Sequence, residues 1–434
     1  MSALLRELRL LARDRAALAL LLVALLSAAI AVTSGLAEVR QQRVQLAALA
    51  DADRREREAV AAQQADWGSA AYYTFHLTAA PPSTFAFAAL GLREHGPWQH
   101  RVRMLALEGQ IHEPDAGQPE VALLGRFDYA FVAATLAPLL TILLLHGLAA
   151  GERAAGRHDL LVATARSGAR LWRLRAGLRI ALLLPLALGA VLEGTPGAVV
   201  RMAAALVVAH LLFWAVLCRW LDRDGATPAA TQLMQGVGAW LLLAVVAPAA
   251  IAAFAERRHP LPEGAAILMA QREAVNDAWD LPKATTMRAF VDRHPAWADF
   301  ADVRRPFEWK WYFAFQQVGD QAAAALSQAN RDGRAARART AAALAWLAAR
   351  AALERQLEAL AGTDAQAALA YEAAVRDFHA TLRQWYYPRL FRELPYAVDQ
   401  LAQRPEFLPP TPGAAPPAAA GSAADTVSES RGRE

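Results

Sequence analysis

The sequence predicts an all-α protein, namely a polytopic membrane helix bundle of about five spans with two largely helical extracytoplasmic insertions. Three observations predict this class. Residues Ala16 to Ala37 carry no charge over 22 positions, and a helix of that length crosses the ~30 Å hydrocarbon core of a bilayer. Arginines cluster beside the apolar runs. The segments between the runs are rich in Ala, Arg, Glu and Gln, which favour helices.

Composition places the chain between a soluble protein and a pure membrane bundle. Of the 434 residues, 56% are hydrophobic and 20% are charged, and the mean hydropathy of +0.17 indicates that sizeable water-facing segments dilute the spans. The net charge is +4. Because the excess is arginine beside apolar runs, membrane topology explains it and no nucleic-acid partner is expected. The single cysteine, Cys218, excludes an intramolecular disulfide.

The first element is the N-terminal unit, residues 1–37, which contains an interfacial helix and the first span. Leu4, Leu5 and Leu8 share one helical face, and the arginines of this stretch lie away from it, as in a helix on the surface of the inner leaflet. In the alternative interpretation, these arginines only set the topology. No A-x-A cleavage motif lies in the ten residues after the apolar run, so the span is expected to remain in the mature protein.

The second element is the first periplasmic insertion, residues 38–127. Residues 38–64 contain neither Gly nor Pro, which predicts that the first span continues as a helix beyond the membrane. From Trp67 to Gly109, the aromatic residues, histidines and turn residues predict a compact lobe.

The third element, residues 128–254, contains spans two to five. Its apolar runs are Tyr129–Ala150, Ile180–Leu192, Met202–Cys218 and Gln232–Phe254. The second of these runs is short and is interrupted by Pro185. It crosses the bilayer only if the flanking arginines extend toward the headgroups.

The distribution of arginine predicts the orientation of the chain. Residues 151–179, between the second and third spans, carry seven arginines against Glu152 and Asp159, and the N-terminus is also rich in arginine. The positive-inside rule therefore assigns both segments to the cytoplasm. The protein is expected to lie in the bilayer of the bacterial inner (cytoplasmic) membrane, with multiple spans, a cytoplasmic N-terminus and both insertions in the periplasm.

The fourth element is a second periplasmic helical region, residues 255–408. Its prolines at 282, 295 and 306 are expected to separate short helices. The pattern of residues 313–391 predicts long amphipathic helices rich in alanine. The stretch Thr340–Ala349 lies between two arginines and is too short for a sixth span. Residues 409–434 form a Pro/Ala-rich tail that is disordered by composition.

Four stretches of this chain resemble a known family. They are WGSAAYYTFHLTAAPPSTFAFAALG at 67–91, FDYAFVAATLAPLLTILLLHGLAAGERAAGRHDLLVA at 127–163, RPFEWKWYFAFQQVGD at 305–320 and DFHATLRQWYYPRLF at 377–391. The chain resembles permease subunits of type 2 ABC transporters, in particular the branch with two large periplasmic insertions that is related to multi-copper-enzyme maturation permeases. It departs from the usual six spans of this superfamily, because a Pro/Ala tail follows YYPRLF where a last hydrophobic helix is common.

The resemblance implies two sets of site residues. The first is an ATPase-coupling segment at the cytoplasmic end of the second span, which comprises Gly151, Glu152, Arg153, Leu160 and Leu161. The second is a set of periplasmic family-motif residues, which comprises Trp67, Tyr72, Tyr73, Pro81, Trp309, Trp311, Tyr312 and Pro388. Simpler interpretations remain open, namely an ordinary positive-inside loop with a local ion pair at Glu152, and helix packing or interfacial anchoring for the aromatic residues.

The resemblance also implies the function and the partners. The chain would be the membrane-spanning subunit of an ATP-driven transporter, paired with an ABC ATPase subunit and with a second permease, either a copy of itself or a paralogue. It has no G-x-x-x-x-G-K-[ST] segment, so ATP is expected on the partner and no cofactor on this chain. The alternative is a membrane-anchored envelope scaffold or sensor whose periplasmic helices bind another protein.

Catalysis and metal binding have little support in the sequence. No Ser/His/Asp or Cys/His set with the spacing of a nucleophilic site is present. Among the histidines of the first insertion, only His95 and His100, on either side of a Gly-Pro turn, have a common ligand spacing. We therefore expect a non-catalytic subunit without a metal site.

Overall fold

The computed structural model describes residues 3–94, 96–113, 127–165, 168–183, 195–222 and 227–410. The helices up to residue 258 are α1 (Ala3–Leu11), α2 (Arg15–Gln63), α3 (Trp67–Tyr73), α4 (Leu107–His112), α5 (Tyr129–Phe131), α6 (Ala137–Leu145), α7 (Ala150–Ala154), α8 (His158–Ala165), α9 (Gly168–Leu183), α10 (Gly197–Leu221), α11 (Ala229–Leu241) and α12 (Ala247–Arg258). The later helices are α13 (Gly264–Asp280), α14 (Lys283–Arg293), α15 (Trp309–Leu344), α16 (Ala349–Ala361), α17 (Ala365–Phe391) and α18 (Val398–Leu401). Short 3₁₀ turns occupy Gly91–Glu94, Pro295–Phe300 and Ala345–Leu347.

Four helical stretches among the described residues are long and apolar enough to cross a membrane. They are Arg15–Gln63, Tyr129–Ala154, Gly197–Leu221 and Ala229–Arg258. These stretches contain four of the five predicted apolar runs and agree with a helical membrane protein. The remaining run, Ile180–Leu192 with Pro185, lies mainly outside the described residues, which end at Leu183 and resume at residue 195. Most of the predicted tail, residues 411–434, also lies outside them.

The helix α2 confirms the prediction that the first span continues beyond its apolar part. It runs without interruption from Arg15 to Gln63 over 49 residues, which corresponds to about 73 Å at 1.5 Å per residue. The side chain of Asp14 caps its N-terminus by accepting a hydrogen bond from the N–H of Ala17. The absence of Gly and Pro between residues 38 and 63 explains why the helix does not break.

Two of the apolar helices contain a π-helical turn, and each turn is followed by a proline. The turns are Val132–Leu136 before Pro138 and Leu242–Val246 before Pro248. Proline has no N–H and crowds the carbonyl four residues earlier, so the helix widens at this point.

The carbonyls freed by the two prolines lie close to polar side chains. Nε2 of His210 is 3.3 Å from the oxygen of Ala134, and the Arg350 side chain donates to the oxygen of Ala244 at 3.5 Å. The indole N–H of Trp240 donates to the next carbonyl, that of Thr135, at 2.9 Å. The side chains of Arg350 and Trp240 thus satisfy backbone groups that the helices themselves leave open. Nε2 of His210 donates to Ala134 only in the tautomer that does not accept the indole N–H of Trp214.

The helix α16 packs among the apolar helices, although its sequence is too short to span. It contacts α5, α10 and both π-helical turns. Leu353, Leu357 and Ala361 are buried in the same apolar cluster as residues of α2 and α10. The stretch Thr340–Ala349 contains the end of α15 and a 3₁₀ turn, and it is not among the four candidate spans.

The second apolar core lies in a separate region, called here the large lobe, which comprises residues 61–81, 98–113, 264–344 and 365–407. Its buried side chains include Trp67, Phe290, Phe313 and Tyr386. The helices α13, α14 and α17 pack around α15, which is the longest helix of this lobe at 36 residues.

The large lobe also contains a two-stranded antiparallel sheet that the all-α prediction omits. Strand β1 (His76–Ala79) pairs with strand β2 (Gln99–Val102), with His76 opposite Val102 and Thr78 opposite His100. The hydroxyl of Tyr371 on α17 lies 3.1 Å from Oγ1 of Thr78 and 2.9 Å from Nδ1 of His100. The sheet is held against the helices by this polar contact, and each strand is too short to show a clear alternating pattern in the sequence.

Candidate functional site

The residues singled out by the sequence collect in two places. One is the end of the apolar helices formed by residues 3–15, 147–165 and 168–179, called here the basic end. The other is the large lobe. The two are joined by α2, which begins at the basic end and reaches the large lobe with its last turns.

A glycine turn separates α6 from the basic end. Gly147 has φ of +67°, a conformation that side chains other than glycine rarely adopt. A Cβ atom at this position would lie 2.7 Å from the Cβ of Ala229, so the turn also needs the space that glycine leaves. The N–H of Gly147 donates to the Gln232 side chain at 3.0 Å, which ties the turn to α11.

Glu152 is the centre of an ion-pair network at the basic end. Its Oε1 accepts a hydrogen bond from Nη1 of Arg175 at 2.8 Å, and its Oε2 accepts one from Nε of Arg157 at 2.9 Å. The Nε of Arg175 donates to Glu7 at 2.9 Å. The side chains of Arg175 and Glu7 are only 7% and 11% exposed, so these two charges are shielded from solvent and depend on their partners. Arg157 is 64% exposed and closes the network on the solvent side. The network joins α1, α7 and α9.

Arg153 and Gly151 are the chain neighbours of Glu152, but their surroundings differ from those of the ion-pair network. Nη1 of Arg153 is 3.9 Å from Oδ1 of Asp222, the residue that follows α10. Oδ1 of Asp222 also accepts a hydrogen bond from Gln232 at 2.7 Å. A Cβ atom at Gly151 would meet no atom within 4 Å, so the space around this glycine is open on one face of α7.

The two leucines of the predicted coupling segment lie on α8. Leu160 is 70% exposed, and Leu161 is half-buried. An exposed leucine on a short helix beside several arginines offers an apolar contact point with a basic rim. The basic end thus presents the exposed helix α8, and Arg157, just before that helix, pairs with Glu152 of the ion-pair network.

The aromatic residues of the family motifs come together in the large lobe. The rings of Tyr72 and Trp309 are 5.8 Å apart, and those of Tyr72 and Tyr312 are 5.6 Å apart. A Cβ atom at Gly68 would lie within 2 Å of the Trp309 ring, so the glycine after Trp67 allows α3 to approach α15 closely. Burial, and to a lesser extent the neighbouring Tyr72, raises the pKa of Tyr312 to about 12.

A cavity of about 360 Å³ lies next to these rings. It is lined by Asp66, Trp67, Gly68, Arg305, Phe307, Glu308, Trp309, Lys310, Arg389, Leu390, Glu393 and Leu394. The guanidinium of Arg389 lies 5.3 Å from the centre of the Trp67 ring, and its Nε is buried without a hydrogen-bond partner. The cavity therefore combines aromatic walls and charges of both signs.

The pKa of Glu308 reflects its position in this cavity wall. Burial by itself would raise the pKa, but the backbone N–H groups of Arg305 and Arg304 and the ammonium of Lys310 outweigh burial and hold it below its usual range. Glu308 is therefore a carboxylate at neutral pH.

The remaining predicted residues of this set have other surroundings. Trp311 is buried against Trp279, with ring centres 5.2 Å apart. Tyr73 is 52% exposed, and Pro81 is exposed. Pro388 lies inside α17 and is half-buried. Of the eight motif residues, Trp67 and Trp309 line the cavity, and Tyr72 and Tyr312 pack beside it.

Sequence reasoning missed the partners that hold Glu152. Glu7 is the only acidic residue among the first 13 residues, and Arg175 is one of seven arginines between residues 151 and 179. The sequence offered one signal: Glu7 lies in one arginine-rich segment and Glu152 lies in another, and both segments are predicted on the same side of the membrane. The signal does not identify which arginine is buried.

Comparison with known proteins adds one match. Residues 265–409, which are less than half of the chain, match a family described as a domain of unknown function (DUF3526). This segment extends from α13 through α18 and thus covers the helical part of the large lobe together with α16. No curated protein and no solved structure matches the chain. Within the described residues, no three His, Cys, Asp or Glu side chains form a group that could hold a metal ion.

Proposed function

We propose that this chain is a membrane-spanning permease subunit of an ATP-driven ABC transporter in the bacterial inner membrane, energised by a separate ATPase subunit. The observation that supports this function best is the network of Glu152 with Arg157, Arg175 and, through Arg175, Glu7. It ties the segment after the second span to the N-terminal helix and to the helix that leads into the third span.

The proposed mechanism is mechanical. Closure of an ATPase pair in the cytoplasm would push on α7 and α8, where Leu160 is exposed. Because Glu152 and Arg175 hold α7 against α9, and Glu7 holds α1 against α9, the push would move the three helices together. The tilt would reach the spans that follow α1 and α9 and would alter the path between this permease and its partner, a second copy or a paralogue.

The experiment places a photo-crosslinking amino acid at Leu160 in the full chain produced in its native host. The expected result is an adduct with a soluble protein that contains a G-x-x-x-x-G-K-[ST] loop, identified by mass spectrometry. The same crosslinker at Tyr73, which is exposed in the large lobe, serves as the control and should give no such adduct. Absence of the adduct at 160, or its equal formation at 73, contradicts the proposal.

A second variant tests the coupling itself. Glu152→Gln removes the charge that holds Arg175 and Arg157, so ATP turnover by the assembled transporter should continue while transport falls. The protein should still insert, because the apolar runs are unchanged. Transport at the wild-type ratio to ATP turnover would contradict the role of Glu152.

The second candidate is a membrane-anchored envelope scaffold or sensor. The cavity next to Trp67 and Trp309 favours it, because the cavity presents aromatic walls and charges of both signs away from the basic end. Its test uses the crosslinker at Phe307, which lines the cavity and is 42% exposed. An adduct with one envelope protein at 307, together with none at 160, would favour the scaffold over the transporter.

A further inference from the structure

A cavity of about 750 Å³ opens at the basic end, between the start of α2, the end of α6 and the helix α9. The side chains and backbone around it belong to Asp14, Ala16, Ala17, Ala19, Leu20, Val23, Leu143, Leu144, His146, Gly147, Leu148, Gly151, Glu152, Arg157, Arg175 and Arg179. Its volume lies in the range of sites that hold small organic molecules.

The cavity wall has an apolar half and a charged half. The apolar half is formed by side chains of two candidate spans, among them Leu20, Val23 and Leu143. The charged half is formed by Asp14, just before the first of those spans, by Arg157, just beyond the second, and by Arg175 and Arg179 of α9. This change from apolar to charged along one wall matches the change from acyl chain to headgroup at the surface of a bilayer.

Arg179 carries an open donor in the charged half. Its side chain is only 14% exposed, and its nearest carboxylate oxygen, Oδ2 of Asp14, is 3.5 Å from Nη2. Its Nε is buried and has no hydrogen-bond partner. Buried donors are nearly always paired. Asp14 occupies only the Nη2 edge of this guanidinium, so the remaining N–H groups can donate to a partner from outside the chain.

The other cations of the wall are engaged within the protein. Arg175 donates to Glu7 and Glu152, and Arg157 donates to Glu152. The three guanidinium groups of Arg157, Arg175 and Arg179 are thus balanced by three carboxylates, those of Glu7, Asp14 and Glu152. A ligand with several negative charges does not match this balance, whereas a headgroup with one phosphate and one ammonium does.

We infer that this cavity holds one glycerophospholipid, with its phosphodiester on the guanidinium of Arg179 and an acyl chain along Leu20, Val23 and Leu143. A guanidinium matches two oxygens of a phosphodiester in a fork of parallel hydrogen bonds. The apolar half of the wall distinguishes a lipid from free phosphate, because free phosphate gains nothing from contact with leucine and valine.

The experiment uses the full chain, purified in detergent and stripped of lipid, and phosphatidylethanolamine as the probe. Native mass spectrometry follows the bound fraction as the lipid is titrated. One retained lipid per chain is expected for the wild type. Arg179→Gln should weaken binding by about tenfold or more, the effect of losing a charge-assisted hydrogen bond. Arg173→Gln is the matched control, because Arg173 lies on the same helix, is exposed and does not line the cavity.

A second variant keeps the test valid if Arg179→Gln does not fold. Val23 is 47% exposed, so Val23→Trp is expected to fold normally while filling the apolar half, and it should also lower lipid retention. Millimolar sodium phosphate should not displace the lipid. Equal retention by the wild type and both variants, or displacement by phosphate alone, would overturn the inference.

Discussion

At the scale of single residues, the basic end depends on one buried arginine. Arg175 lies between Glu7, which is 168 positions earlier in the chain, and Glu152, which is 23 positions earlier. The sequence identified Glu152 and Arg153 through a motif, but it did not identify Arg175. The reason is physical, because the pairing depends on how α1, α7 and α9 pack, and one sequence carries no information on which of seven arginines becomes buried.

Asp320 is a second residue whose role appears only in the structure. It is buried in α15, and its Oδ1 accepts the backbone N–H of Glu108 at 3.0 Å. Burial raises its pKa to about 7, and the charge of Glu108 adds to this shift, although the N–H groups of Leu107 and Glu108 act in the opposite direction. Nothing in the sequence around Asp320 distinguishes it from an exposed aspartate.

Asp320→Asn should remove a pH dependence from the stability of the large lobe. A carboxyl whose pKa is raised in the folded state contributes stability that is complete below its unfolded pKa and is lost as the pH rises through its folded pKa. The free energy of unfolding of the wild type should therefore fall between about pH 4 and pH 7, by up to about 1.4 kcal/mol per pH unit. Asparagine keeps the acceptor oxygen and does not ionise, so the variant should be the more stable protein at pH 8.

Chemical denaturation of the detergent-solubilised protein, followed by tryptophan fluorescence, measures this difference. Asp332→Asn is the matched control, because Asp332 lies on the same helix and is exposed. The prediction fails if Asp320→Asn follows the wild-type pH profile.

At the scale of elements, α16 shows that the length rule for membrane spans does not predict where a shorter helix packs. The rule that a span needs about 20 apolar residues predicted that Thr340–Ala349 is not a sixth span, and this stretch is not among the four candidate spans of the described residues. The rule gave no indication that the following helix would pack among the spans. The signal was present in the spacing of Leu353, Leu357 and Ala361 at intervals of four, which builds one apolar face. The sequence does not state which surface that face covers.

Leu357→Ala should destabilise the packing of α16 against the apolar helices. Leu357 is completely buried, so truncation leaves a cavity and should cost about 3 kcal/mol. Gln356→Ala is the control on the same helix, because Gln356 is exposed and its truncation should leave stability nearly unchanged. The thermal unfolding midpoint in detergent compares the two, and equal midpoints would show that α16 does not depend on this contact.

At the scale of the whole molecule, the sequence predicted the helical class, four of the apolar helices and the long continuation of the first span. These features depend on hydropathy and helix propensity summed over many residues, so one atypical residue does not change the prediction. The convergence of Trp67, Tyr72 and Trp309 on one cavity was not predictable in the same way. It brings together segments that are about 240 residues apart in the chain, and only the packed lobe defines it.

The uninterrupted α2 should hold the basic end and the large lobe at a fixed distance. Spin labels at Leu26 and Arg55, both exposed, are separated by 29 residues, or about 43 Å along a straight helix. Ala48 is exposed and lies between them, and Ala48→Pro should kink or break the helix there. Pulsed electron paramagnetic resonance on a variant without Cys218 should give a narrow distance distribution for the wild type and a broader, shorter one for Ala48→Pro.

The control for this experiment is Ala48→Glu, which keeps a good helix former at the same position. Its distance distribution should match that of the wild type. A narrow distribution at about 43 Å in Ala48→Pro would mean that contacts elsewhere, and not the continuity of α2, fix the separation.

The π-helical turns before Pro138 and Pro248 have a consequence for how these helices can rotate. A π turn contains one residue more than an α turn, so if the extra residue were passed one turn along the helix, the side chains between the old and new positions would swing by about 100° around the axis. The ends of the helix would stay where they are. His210 and Arg350 contact the carbonyls of Ala134 and Ala244 in the present arrangement. Loss of these contacts would permit a membrane helix to rotate a different face toward its neighbours without moving along its axis.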